Sequence, residues 1–168
     1  PPSIRRDLQE EIDFVEEIAR IYGYDKLPMT LPKGNSEAGK SREWALRDLT
    51  REIMNGLGAS EVQTYSFVNP KGVDSMRIGA DSWERNFVRL INPLGEENSV
   101  MRTVLTPNML EVLARNYARN IPKVRAFEIG NTFLKKADEA DALPEERNSM
   151  VMACYGEGES FFTLKGMI

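Results

Sequence analysis

Apolar residues in the first part of the chain recur at helical spacing. Ile12, Val15, Ile18, Ala19 and Tyr22 fall three or four residues apart, which predicts a helix over residues 11–22 with one apolar stripe. Gly23 offers a helix exit, and Pro28 blocks continuation and biases the residue before it toward an extended shape. The stretch "MTLPKGNSEAGKS" has little to bury and reads as a connector. A second helix is expected over about 41–57, capped by Ser41, with Leu46, Leu49, Ile53 and Leu57 on one face. "SEVQTYSFV", residues 60–68, is rich in β-branched and aromatic residues and predicts a strand closed by Asn69 and Pro70. A short helical piece is expected over 73–76, and "NFVRLINP" reads as another short strand. Thr106 is read as the cap of a third helix, with Pro107 at its first position. Its buried stripe is read as Leu110, Leu113, Ala114 and Tyr117, and Pro122 stops it. "KVRAFEIGNTFLKK" and "SMVMACYGEG" read as two more strands around an acidic, alanine-rich loop. "FFTLKGMI" looks like the opening of a helix, so the chain reads as a fragment.

Long helices among antiparallel-looking strands predict an α+β fold, an antiparallel sheet flanked by helices. The breaks divide the chain into residues 1–28, a linker over 29–40 and a main body over 41–168. Composition narrows the chemistry. The chain has 168 residues, 41% hydrophobic and 29% charged, the profile of a globular protein with a sizeable core. Its net charge of −4 is no electrostatic footprint for nucleic acid, so any service to RNA would run through a partner or a local patch. No apolar run is long enough to span a membrane and no secretory pattern opens the chain, so a cytoplasmic setting is expected. The histidine count is 0, which excludes Ser-His-Asp, Cys-His and histidine-based zinc chemistry together. The single cysteine, Cys154, sits in the alternation "MVMACY" and reads as a buried, inert thiol.

Three clusters remain as candidate chemistry. Asp13, Glu16 and Glu17 share a helix face, with Asp7 arriving just before it, and such hard oxygen ligands suit Mg²⁺. Spacing alone favours the plainer reading, a solvated acidic face beside the positive end of the helix dipole with Glu16 paired to Arg20. In "NPLGEENSVMRTVLTPNMLEVL", Arg102, Glu96 and Glu97 precede a capped helix and could line a polar pocket, against the simpler expectation of local pairing. The glycines fall into neither the dinucleotide nor the P-loop pattern. "FEIGNTFLKK" has the outline of a nucleotide-site strand, with Lys135 and Lys136 read as closing a hairpin in solvent.

The run "PPSIRRDLQEEIDFVEEIARIYGYDKLP" resembles the end of the B5 domain in the bacterial phenylalanyl-tRNA synthetase beta-subunit family. "LGASEVQTYSFVNP", "RLINPLGEENSVMRTVLTPNMLEVLARN", "FEIGNTF" and "FFTLKG" resemble successive landmarks of that family's core, in order. The resemblance implies that residues 1–28 are the C-terminal part of B5 and 41–168 a truncated, non-catalytic core of class II synthetase type. In catalytic relatives the corresponding strand leads to an arginine that grips ATP and then to an acid, where this chain offers Leu134 and Lys136. No catalytic or cofactor-binding residue is therefore expected. The resemblance also implies Mg²⁺ at Asp7, Asp13, Glu16 and Glu17, shared with an alpha subunit that binds ATP and phenylalanine. Two alpha and two beta chains are implied, with tRNA reached through the whole assembly. Trp44, Met101 and Met109 are candidates for partner-facing surface, although each fits a core position better. A second reading, an independent class II-like nucleotide or amino-acid-binding protein, would need a pocket that depends on Arg102.

Overall fold

The computed structural model describes residues 3–34, 38–136 and 143–168. It comprises two compact units, Pro1–Gly39 and Lys40–Ile168. In the first unit, α1 (Glu11–Tyr22) has the bounds its spacing predicts and ends at Gly23, whose φ of 101° suits a residue without Cβ. Its apolar stripe faces outward, with Ile12, Val15, Ile18 and Tyr22 all exposed.

The second unit opens with α2 (Arg42–Gly56). The Ser41 hydroxyl accepts from the Trp44 amide at 3.3 Å, satisfying one of the donors that a helix start leaves without an intrahelical partner. Then follow β1 (Ser60–Glu61), β2 (Phe67–Val68), a 3-10 turn over Pro70–Met76, β3 (Val100–Met101) and α3 (Thr106–Ala118). The chain closes with β4 (Val124–Leu134), β5 (Glu145–Tyr155) and α4 (Phe161–Lys165). β4 is the spine of a sheet ordered β1-β4-β5. β5 runs antiparallel to it over its whole length, from Val124 opposite Tyr155 to Leu134 opposite Glu145. β1 runs parallel to β4, the one departure from an antiparallel sheet, and the connection containing α3 is long enough for that crossover. β2 and β3 form a separate antiparallel pair.

Side chains alternate across a strand, so β4 serves two layers. Phe127 turns to a core shared with Met54 of α2 and Ala59. Ala126, Glu128, Gly130 and Thr132 turn to the other face, toward Arg102 and the start of α3. That face is lined further by Val100, Leu105 and Met109, all buried.

Four details depart from the sequence expectations. The strand expected over 60–68 is two short pieces, because Thr64 between them gives its amide and hydroxyl to the Glu128 carboxylate instead of to a ladder. "NFVRLINP" contributes only an isolated bridge, Arg89 to Val100. α3 starts with Leu105 in the cap position, so Thr106 is its first residue, and it buries Pro107 and Met109 while Leu110, Ala114 and Tyr117 are exposed. β5 begins at Glu145, ahead of the apolar run that marked it; residues 137–142 of the expected loop lie outside the described residues. The helical piece expected over 73–76 lies inside the 3-10 turn, and α4 opens with a Ser160–Thr163 capping box.

One turn depends on a missing side chain. Gly156 follows β5 with φ 119°, and a Cβ there would lie 2.7 Å from the Pro122 carbonyl oxygen. Gly156→Ala is expected to lower unfolding free energy by roughly 1–3 kcal/mol, read in urea titrations.

Candidate functional site

The most heavily connected polar site lies on the α3-facing side of β4. Glu128 is 2% exposed and Arg102 4% exposed, and they meet at 2.7 Å. An isolated charge is too costly to bury, so each needs further partners. Arg102 has them: Nε donates to the Asn131 carbonyl at 2.9 Å, and Nη1 to the Thr64 hydroxyl at 2.9 Å. Glu128 accepts the Thr64 hydroxyl at 2.8 Å and the Thr64 amide at 3.2 Å. Asn108, in the first turn of α3, completes the set by donating to the Thr64 hydroxyl and the Tyr65 carbonyl, both at 3.0 Å.

Backbone bonds fix the arginine from both sides. Its amide donates to the Ser66 carbonyl and its carbonyl accepts from the Phe133 amide, each at 2.9 Å. Gly130 makes room for the guanidinium, since a Cβ at that position would lie 2.2 Å from Arg102 Nη2. The glycine of "FEIGNTF" therefore accommodates the chain's own arginine.

Two cavities flank this network. One of about 470 Å³ is bordered by Gln63, Tyr65, Phe67, Asn98, Asn108 and Arg115. A smaller one, about 250 Å³, lies over β4 and β5 and is lined by Trp83, Thr103, Thr132, Leu134, Arg147 and Ser149. Leu134 supplies no charge to the second cavity, and the Arg147 Nε binds Glu145 at 2.7 Å. Arginine grips phosphate through its fork of donors, and leucine has none. Lys135 and Lys136 are both exposed beyond the end of β4.

The acidic residues of the first unit are placed differently from a metal cluster. Arg5 binds Asp7 at 2.7 Å and Glu17 at 3.2 Å, and Arg20 binds Glu17 at 2.7 Å. Arg20 thus pairs with Glu17 rather than Glu16. Asp13 caps its own helix, accepting from the Gln9 and Glu10 amides at 2.8 Å each. Glu16 is exposed. Among the described residues no three Asp, Glu, Cys or His gather to hold a metal. The donor chemistry is right for Mg²⁺, and in this chain guanidinium groups hold Asp7 and Glu17 and amides hold Asp13, so an ion there would have to displace them.

The lone thiol, Cys154, is half-buried and not fully buried as its strand alternation suggests. Burial pushes Cys154 above its ordinary pKa, and the Glu159 carboxylate adds to the shift, so the thiolate is scarce at neutral pH. Glu159 itself is held by Lys123 at 2.6 Å and Arg125 at 2.8 Å, which keep it ionised.

Loss of either Arg102 or Glu128 leaves the other charge buried without its partner. Arg102→Met or Glu128→Gln is expected to cost about 3–5 kcal/mol of stability in urea unfolding, and Arg102→Met with Glu128→Leu far less than the sum. The Arg5 cluster carries a pH signature. The Arg5 hydrogen bond lowers Asp7, and Arg20 followed by Arg5 lowers Glu17. A depressed carboxyl stabilises the fold above its unfolded pKa, near 4, and that contribution is lost as pH falls through the lower folded value. Amide-exchange protection around residues 5–20, taken relative to the intrinsic exchange rate at each pH, should fall in that acid window and be unchanged between pH 6 and 8.

The family described as phenylalanyl tRNA synthetase beta chain CLM domain matches residues 27–168, and the tRNA synthetase B5 domain matches residues 1–24. The phenylalanine–tRNA ligase beta subunit of Clostridium tetani is 44% identical over 168 residues, 99% of this chain and 21% of that protein. Its counterpart in Clostridium acetobutylicum is 41% identical, again over 99% of this chain and 21% of that protein. The Syntrophus aciditrophicus protein is 40% identical over 100% of this chain and 22% of its own length. The chain thus spans about a fifth of the length of the curated relatives it matches. Among solved structures, a pyrrolysyl tRNA synthetase from Desulfitobacterium hafniense shares the fold with a TM-score of 0.50 at 22% identity, over 66% of this chain and 37% of that one. With its helices around β4, its filled polar site and these matches along its length, the chain belongs to the phenylalanyl-tRNA synthetase beta-chain family.

Proposed function

We propose that this chain is a core of the non-catalytic beta subunit of a phenylalanine–tRNA ligase, a scaffold on which an alpha subunit docks. That subunit would attach phenylalanine to its tRNA with ATP in the cytoplasm, in an assembly of two alpha and two beta chains that contacts tRNA as a whole. Residues 1–28, 29–40 and 41–168 serve in this reading as B5 remnant, linker and core.

The observation that carries the proposal is the outer face of α2. Leu46, Leu49, Ile53 and Leu57 form one stripe along the helix and are 53%, 51%, 51% and 41% exposed. Trp44 beside them is 55% exposed and stacks under Arg47 at 5.0 Å. The helix meets its own sheet through Met54 instead, so its apolar stripe is left for another surface. Burying the exposed half of each aliphatic chain contributes on the order of 1 kcal/mol. Of the other candidates for partner-facing surface, Met101 is half-buried and Met109 is core.

The absence of catalysis in this chain rests on Leu134 at the expected phosphate-gripping position and on Arg102 being committed to Glu128. Magnesium enters the reading as an exchange. A cation at Asp7 and Glu17 would have to displace Arg5, with water or the partner completing its shell.

The test is co-elution with the alpha subunit of the same organism, with Mg²⁺ and again with chelator. Co-elution is expected, and Leu49→Asp with Ile53→Asp should weaken it about 30-fold or more. Neither ATP nor phenylalanine should bind the isolated chain at millimolar concentration; binding that disappears in Arg102→Ala would overturn the scaffold reading. Co-elution indifferent to chelator would keep the scaffold and remove the shared metal.

A further inference from the structure

The segment between the isolated bridge at Arg89 and β3 is a closed loop with an unusual tip. Its base is held by Leu90 donating to the Ser99 carbonyl at 3.0 Å and Met101 donating to the Val88 carbonyl at 2.9 Å. Its far side is a 3-10 turn over Glu96–Asn98, in which the Asn98 amide reaches Gly95 at 3.1 Å and the Ser99 hydroxyl reaches the Glu96 carbonyl at 2.9 Å. Ser99 and Val100 anchor it in the interior at 6% and 0% exposure. On this fixed frame, Ile91 is 101% exposed and Leu94 99% exposed, on either side of Asn92 and Pro93.

Scattered exposed leucines are ordinary, and Leu31 in the connector is one of them. Ile91 and Leu94 differ because hydrogen bonds and a proline hold their loop before any partner arrives, so little conformational freedom is lost on docking. We propose that this loop is a second docking element, a two-pronged hook that inserts Ile91 and Leu94 into an apolar pocket with a basic rim on the alpha subunit.

The rim is argued from charge. Glu96 and Glu97 follow the prongs and are both exposed, while Arg89, the segment's one cation, lies back at the base. Two carboxylates beside the tip repel the phosphates of RNA and the headgroups of an anionic membrane, which leaves a protein surface bearing Lys or Arg as the complementary partner. The assignment of that surface to the alpha subunit rests on the scaffold reading above; the hook is separate in sequence and chemistry from the α2 stripe.

Calorimetric titration of the alpha subunit into this chain, at low and high salt, tests it. Ile91→Ser with Leu94→Ser should weaken binding about tenfold or more, or about 1.4 kcal/mol, with thermal unfolding unchanged because both side chains are exposed. Glu96→Gln with Glu97→Gln should flatten the salt dependence. A change below about twofold in the serine variant, while Leu49→Asp in α2 still weakens binding, overturns the hook and leaves the scaffold standing. Salt dependence that persists in the glutamine variant overturns the basic rim. Failure of the unaltered chain to bind at all removes the scaffold reading and the hook together.

Discussion

A buried pair of opposite charges constrains this fold more than any other contact. Arg102 and Glu128 cannot enter the interior unless each is nearly saturated with partners, and those partners come from separate parts of the chain. Thr64 supplies the bridging hydroxyl and an amide, Asn131 a carbonyl, and Gly130 the space. The break between β1 and β2, the seating of α3 on the sheet and the small residue in mid-strand are answers to that one requirement. The apolar core on the opposite face, Phe127 with Met54 and Ala59, adds stability but does not dictate these details.

The same pair bears on what the domain does. An internal guanidinium is engaged in the polar network of the sheet face, and the strand beyond it ends in leucine. Surfaces elsewhere carry the outward features: a stripe along α2 and the tip of the loop before β3. The proposed scaffold role would use these peripheral surfaces and not the face of the sheet.

Much of this was legible from residue order. Helix spacing alone gives α1 its bounds, Glu11–Tyr22, and Ser41 caps α2 as its chemistry requires. The Gly23 exit and the helical opening in "FFTLKGMI" also match. What failed to show did so for physical reasons. β5 begins with Glu145, Glu146 and Arg147, a polar start that resembles a loop but suits an edge strand, where charges discourage pairing with other chains. The buried face of α3 differs from its longest apolar repeat because Pro107 and Met109 are the residues it buries, so burial follows the docking angle. The Arg102–Glu128 pair spans 26 residues and leaves no periodic trace. Its only local hint is an acid in an apolar strand followed two residues later by glycine. The acidic residues around α1 could be found by spacing, but spacing did not reveal that Arg5 would lie between Asp7 and Glu17.

The parallel pairing of β1 with β4 sets an order of events during synthesis. Thr64 and Glu128 are 64 residues apart, so the segment after α2 has no place to close until β4 has left the ribosome. Through that interval α2 lacks the Phe127 side of its core as well as any cover for its outer stripe. Non-local closure of this kind is slow and leaves apolar surface open to the wrong contacts. The nascent chain is therefore most prone to aggregation in the interval between the emergence of α2 and that of β4, and early binding of a folding helper to α2 would cover the stripe proposed above as a docking surface.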